Sequence, residues 1–116
     1  MQVTIYHNPR CSKSRQTLEL LRNRGVEPRI VNYLETPPSI DELRDLVAKL
    51  GISPRELLRT KEAAHAEAGL DAPDVDDETI LAAMHSHPIL IERPIVVAGD
   101  RARIGRPPES VMEILD

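Results

Sequence analysis

The N-terminal part of the chain carries a pattern that few folds can satisfy. Val3, Ile5 and His7 alternate with Thr4 and Tyr6, which is the period of a strand, and Asn8-Pro9 is a turn signal that ends it. From Ser12 helix formers take over, with Leu18, Leu20 and Leu21 near one face and Gly25 standing where a left-handed C-terminal cap belongs. Val26 to Val31 predicts a second strand. A strand, a crossover helix and a second strand join most simply as a right-handed parallel unit, the nucleus of an α/β fold. At 116 residues there is room for one modest core around it.

Past Thr36-Pro37-Pro38 the pattern becomes helical. Ser39 and Glu42 have capping-box spacing, and Ile40, Leu43, Leu46, Val47 and Leu50 form a stripe that stops at Gly51. Ser53-Pro54-Arg55-Glu56 has the same spacing and predicts a short helix containing Leu57, Leu58 and Arg59. Asp76 or Asp77 is the expected cap of a helix that buries Ile80, Leu81 and Met84. Ile95 to Ala98, a Gly99-Asp100 turn and Arg101 to Ile104 read as a hairpin, and a last helix is expected to hold Val111, Met112, Ile114 and Leu115. The order is β-α-β, helices, then β-β-α, with no internal repeat.

Cys11, the only cysteine, lies between the first strand and its helix. A lone thiol excludes an intrachain disulfide, an iron–sulfur cluster and a thiolate-based structural zinc site. Polar and cationic residues surround it, from His7-Asn8-Pro9-Arg10 to Ser12-Lys13-Ser14-Arg15, where a core cysteine has apolar neighbours. A helix N-terminus aims unpaired N–H groups at the sulfur, which favours the thiolate and equally suits an oxyanion. A Cys-x-x-Cys redox pair needs a cysteine where Ser14 stands, and a phosphatase-type loop needs an arginine where Thr17 stands. A monothiol remains, whose covalent adduct must be resolved by a thiol from another molecule.

Other classes find little support. A net charge of −4, with Tyr6 and Tyr33 as the sole aromatics, offers nucleic acid neither a basic field nor stacking platforms. No stretch approaches the roughly 18 apolar residues of a membrane span, and the N-terminus lacks the pattern of a signal peptide, so the expected location is the cytoplasm. His85 and His87 do not have the spacing of a metal site, and His65 is expected at the surface without a partner. The acidic run at 71–78 reads as a solvated loop feeding a helix cap, or as a docking surface for a reductant protein.

Ile5-Tyr6-His7-Asn8-Pro9-Arg10-Cys11-Ser12-Lys13-Ser14-Arg15 resembles the active-site signature of the glutaredoxin-type arsenate reductases. The resemblance continues through Tyr33-Leu34-Glu35-Thr36-Pro37-Pro38, the segment from Gly51 to Arg59, the segment from His87 to Val97, and Gly105-Arg106-Pro107-Pro108, in the form seen in the shorter members. It implies a single thioredoxin-like (glutaredoxin-like) domain over residues 1–116, a mixed sheet with a helical insertion at about 36–90 between its βαβ and ββα units.

The resemblance also implies roles. Cys11 is the nucleophile toward arsenate; His7 and Ser14 stabilise its thiolate; Arg59, Arg93 and Arg106 bind the oxyanion; Asn8 and Arg15 flank the site; and Arg93-Pro94 is a cis peptide. Arsenite is the product, glutathione the co-substrate and glutaredoxin the protein partner, with no metal and no bound cofactor. Two alternatives stand beside this reading. One is a related monothiol, glutathione-dependent reductase acting on another oxyanion or on a mixed disulfide. The other is a regulator like the Spx proteins, which bind RNA polymerase and sense redox state through the cysteine pair that Ser14 interrupts here.

Overall fold

The computed structural model describes residues 2–115. They fall into two compact units, one made of the residues up to Thr36 and from Arg93 onward, the other spanning Pro37–Glu92.

The first unit contains strand β1 (Val3–His7), helix α1 (Ser12–Asn23) and strand β2 (Arg29–Asn32), then β3 (Ile95–Ala98), β4 (Arg101–Ile104) and a 3₁₀ helix over Pro108–Ile114. The sheet order is β2-β1-β3-β4. β1 runs parallel to β2, with Ile5 opposite Ile30, and antiparallel to β3, with Ile5 opposite Val96. β3 and β4 form the expected hairpin, turned at Gly99 with φ 64°. This is the thioredoxin-like mixed sheet that the resemblance implies. Val3, Ile5 and His7 are buried on one face of β1, and Val3 and Ile5 join Leu21, Val96, Ala98, Val111 and Ile114 in one apolar cluster.

Two boundaries depart from the sequence reading. Val26 is not in β2 but closes α1: its N–H donates to the Leu21 carbonyl (2.9 Å) and that of Gly25 to Arg22 (3.0 Å), with Gly25 at φ 79°. This is a Schellman cap, and Pro28, which lacks an N–H, delays the ladder until Arg29. The last helix is 3₁₀, not α. Pro108, Val111 and Ile114 recur every third residue and are the buried ones, which is the repeat of a three-residue turn.

The second unit contains α2 (Ile40–Leu50), a 3₁₀ turn at Pro54–Leu57, α3 (Ala63–Glu67), α4 (Asp77–Ser86) and a 3₁₀ turn at Pro88–Leu90. The capping box forms, with the Glu42 N–H donating to Ser39 Oγ (3.1 Å) and the Ser39 N–H to Glu42 Oε1 (3.2 Å), and Gly51 ends α2 at φ 71°. Asp76 caps α4 by accepting from the Thr79 N–H at 2.8 Å. Ser53, by contrast, caps nothing with its side chain. The turn that follows stops at Leu57 because Leu58 is extended and bridges Ile91, so Leu58 and Arg59 are not helical. Arg55 donates to the carbonyls of Leu70, Ala72 and Val75 (3.3 Å each), tying down the segment before α4.

His65 is not a surface residue: it is 4% exposed, with Nδ1 3.1 Å from Asp71 Oδ1. Helix α3 is a single turn in which His65 alone is buried, and Asp71 meets its ring nitrogen there. His85 donates from Nδ1 to the Pro38 carbonyl (2.9 Å), and among the described residues no group of three His, Cys, Asp or Glu side chains is placed to hold a metal. No described helix is long and apolar enough to cross a membrane.

Leu21 is fully buried in the sheet unit's core. Leu21→Ala is expected to lower unfolding free energy by about 2–5 kcal/mol in urea denaturation followed by circular dichroism.

Candidate active site

The site is built where β1 hands over to α1. His7 is the last residue of β1, and Cys11 is the N-cap of α1, with extended backbone (φ −93°, ψ 123°). A tight turn holds the sulfur there. The Cys11 N–H donates to the Asn8 carbonyl (3.0 Å), Asn8 Oδ1 accepts from the Arg10 N–H (3.0 Å), and Arg15 Nη1 braces the turn at the Pro9 carbonyl (2.9 Å). Asn8 is 4% exposed, whereas Arg10, Lys13 and Arg15 reach solvent. Asn8 and Arg15 therefore shape the turn through its backbone.

Burial by itself pushes the Cys11 thiol up, since desolvation disfavours the anion. The N–H groups of Ser14 and Lys13 and the Arg93 guanidinium outweigh it, and the net shift is downward. The sulfur is only partly covered, so it can be reached.

His7 and Ser14 meet beneath this turn. His7 Nδ1 and Ser14 Oγ share a 2.6 Å hydrogen bond, and Oγ also accepts from the Asn8 N–H at 3.0 Å. Burial first, then the positive charges of Arg22 and Arg15, hold His7 below the ordinary imidazole range, so it is neutral at neutral pH. Ser14 is fully buried and so is Thr17 one turn on, with Leu21 continuing the same stripe. The inward face of α1 thus starts with hydroxyls and ends with leucine. The sequence reading, keyed to leucines, missed Thr17, which donates to the Lys13 carbonyl at 2.8 Å.

Two of the three expected arginines are brought to the sulfur. Arg93 hydrogen-bonds to it, and Arg106 places Nη2 3.6 Å from Sγ while its Nε donates to the Arg93 carbonyl at 2.8 Å. Both precede prolines in cis peptides, Arg93-Pro94 as expected and Arg106-Pro107 in addition. The third, Arg59, lies in the helical unit and is held there by Glu62 and Glu92.

Gly105 is a further residue of this site that carries no chemistry of its own. Its N–H donates to the Pro94 carbonyl (2.9 Å), and a Cβ at Gly105 would stand 2.6 Å from Thr17 Oγ1 and 2.8 Å from Pro94 Cγ. Only a hydrogen fits between α1 and the proline after Arg93. The signal for it was a glycine with no turn to explain it.

Residues 6–114 match the model of the ArsC family. The chain belongs to the ArsC family. An uncharacterized protein, YfgD of Escherichia coli (strain K12), is 56% identical over 115 residues, covering 98% of this chain and 97% of its own. The arsenate reductase of Haemophilus influenzae is 50% identical over 116 residues, covering 99% of this chain and 100% of its own. The solved arsenate reductase from Vibrio cholerae is 52% identical, with a TM-score of 0.97 over 99% of this chain and 98% of that one.

For this ArsC protein, the rate of Cys11 alkylation by iodoacetamide is expected to rise with pH through a midpoint below that of an ordinary thiol. In Arg93→Ala the midpoint should move upward, because a group that lowers the thiol's pKa is gone while burial remains. Gly105→Ala is expected to cost about 1–3 kcal/mol of stability, and to move the same midpoint upward by displacing Pro94 and with it Arg93.

Proposed function

We propose that this protein reduces arsenate to arsenite, with Cys11 as the nucleophile and thiols from other molecules completing the cycle. The observation that carries the reading is a reachable thiol at a helix N-terminus with the guanidinium groups of Arg93 and Arg106 at its sulfur.

Arsenate is largely dianionic near neutral pH, so a thiolate approaching it meets like-charge repulsion. Guanidinium groups offset that repulsion, pair bidentately with tetrahedral oxyanions and stay protonated. Arg93 and Arg106 supply this charge beside the nucleophile, and the resemblance adds Arg59 as a third oxyanion ligand. The α1 N-terminus favours the thiolate before attack and the anionic adduct after it. Neutral His7, fixed against Ser14, adds no charge of its own and orients the hydroxyl beneath the turn.

The thiolate attacks arsenic, one oxygen leaves as water after protonation, and a Cys11–S–As(V) adduct forms. A glutathione thiol displaces a second oxygen in the same way. A glutaredoxin thiol then attacks the glutathione sulfur; the S–As electron pair passes to arsenic, giving As(III) and a mixed disulfide. Hydrolysis releases arsenite and returns the Cys11 thiol. The balance is two electrons to arsenic from two external thiols, as a chain with one cysteine requires. Glutathione is the co-substrate, glutaredoxin the partner, and the inferred setting is the cytoplasm, where thiols stay reduced.

The test is arsenite production by the purified chain with glutathione and glutaredoxin supplied and withheld in turn, alongside phosphate and a mixed disulfide as rival substrates. Arsenite should form only when both thiols are present, and Cys11→Ser should abolish it while the circular dichroism spectrum is unchanged. Full turnover in Cys11→Ser, or reduction of the disulfide alone, would overturn the reading.

A further inference from the structure

Helix α1 turns Ser14, Thr17 and Leu21 fully inward. Leu21 joins the apolar cluster, and Ser14 is engaged with His7 and the Asn8 N–H. Thr17 lies between them, and its hydroxyl turns back along the helix to donate to the Lys13 carbonyl at 2.8 Å. In a regular helix that carbonyl already accepts the Thr17 N–H, so the ladder does not need this second bond. A buried hydroxyl costs more to desolvate than a methyl group, and back-bonding of this kind slightly weakens and bends a helix. Valine would fill the same space without either cost. The stability of α1 therefore does not explain a threonine here.

The consequence lies at the other end of the same peptide. The Lys13 carbonyl and the Ser14 N–H belong to one amide plane. Ser14 is the third residue of α1, and the N–H at that position is one that an N-cap side chain engages; the N-cap here is Cys11. Of the groups that favour the Cys11 thiolate, this N–H comes first, ahead of the hydrogen bond from Arg93. A donor at the oxygen of an amide polarises it and makes its N–H a stronger donor, the more so where water is excluded. Thr17 is so placed, since a Cβ at Gly105 would stand 2.6 Å from its Oγ1 and 3.2 Å from its Cγ2. The hydroxyl, the Lys13–Ser14 peptide and the sulfur form a chain in which each group acts on the next. The charges that face the sulfur come from elsewhere, Arg93 and Arg106 from either side of the β3–β4 hairpin. Arg10, Lys13 and Arg15 on its own turn and helix reach solvent, and neutral His7 lies beneath the turn.

We propose that Thr17 is a positioning residue for the nucleophile: its hydroxyl holds and polarises the Lys13–Ser14 peptide so that the Ser14 N–H is fixed toward the Cys11 sulfur. Any helix offers its first amides to an N-cap; a brace behind one of them has to be supplied by a side chain. The path runs through one peptide and is independent of the arginines. It rests on the reading that Cys11 acts as a thiolate nucleophile.

The test uses the full chain and follows the rate of Cys11 alkylation by iodoacetamide against pH, which needs neither arsenate nor turnover. Thr17→Val keeps the shape and removes the hydroxyl. Its midpoint should rise by roughly 0.2–0.6 pH unit, which is about 1.5- to 4-fold less thiolate below the midpoint. Thr17→Ser, which keeps the hydroxyl, should return the midpoint toward that of the unaltered chain, and Thr17→Ala repeats the removal without the branched side chain. The rise should persist in an Arg93→Ala background, whereas an effect transmitted by packing through Gly105 and Pro94 to Arg93 would vanish there. A hydroxyl with a purely structural role changes the melting temperature and leaves the midpoint where it was. An unchanged midpoint in folded Thr17→Val or Thr17→Ala overturns the proposal, as does a rise that is lost in Arg93→Ala or that Thr17→Ser fails to reverse. Arsenite production by the unaltered protein decides the reductase reading separately.

Discussion

The chemistry of the sheet unit turns on a contest at one sulfur atom. Partial burial resists ionisation of Cys11, while the first N–H groups of α1 and the Arg93 guanidinium favour it. The helix contribution requires the thiol at the N-cap, which fixes where α1 begins and how tightly the Asn8 to Cys11 turn closes. The arginine contribution requires a distant part of the chain to return beside that turn, and β3, pairing with β1, brings it back. The two contributions act together against burial, the helix through partial charge on its first N–H groups and Arg93 through a full charge and a hydrogen bond.

The returning segment is held by backbone more than by side chains. Arg106 donates to the Arg93 carbonyl and Gly105 to the Pro94 carbonyl, so the loop before β3 and the residues after β4 are laced together. Arg106 is thus at once a neighbour of the sulfur and a clasp on the other arginine. In the helical unit the same device, a short antiparallel contact between Leu58 and Ile91, aligns Arg59 with Glu92. In each unit the chain returns upon itself to set an arginine.

Local signals in the sequence were legible where one residue type has one use. Ser39 with Glu42, Asp76, Gly25 and Gly51 marked helix ends as the structure has them, and strict alternation marked β1. Cys11 stood out because its neighbours were wrong for a core. What escaped was decided by partners remote in sequence. His65 looked unpaired because its burial depends on the packing of a one-turn helix, and Leu58 looked helical because its bridge to Ile91 lies far along the chain. Thr17 and Gly105 gave no periodic signal, since a hydroxyl in a core stripe and a glycine outside a turn make sense only once each is seen against the other. At the C-terminal helix, Val111, Met112, Ile114 and Leu115 suit an α-helix, but the residues that the structure buries are Pro108, Val111 and Ile114, the threefold repeat of a 3₁₀ turn.

The reactive turn hangs from β1, which has a hydrogen-bonded neighbour on either side, whereas β2 and β4 form the edges of the sheet. Interior strands exchange their amide hydrogens late, through openings that approach global unfolding, and edges fray first. β3, the strand that Arg93 leads into, shares this interior position, so the cysteine and one of its arginines both hang from the strands expected to open last. Fraying on warming is therefore expected to begin at β2 and β4 and not at the strands from which the site is hung.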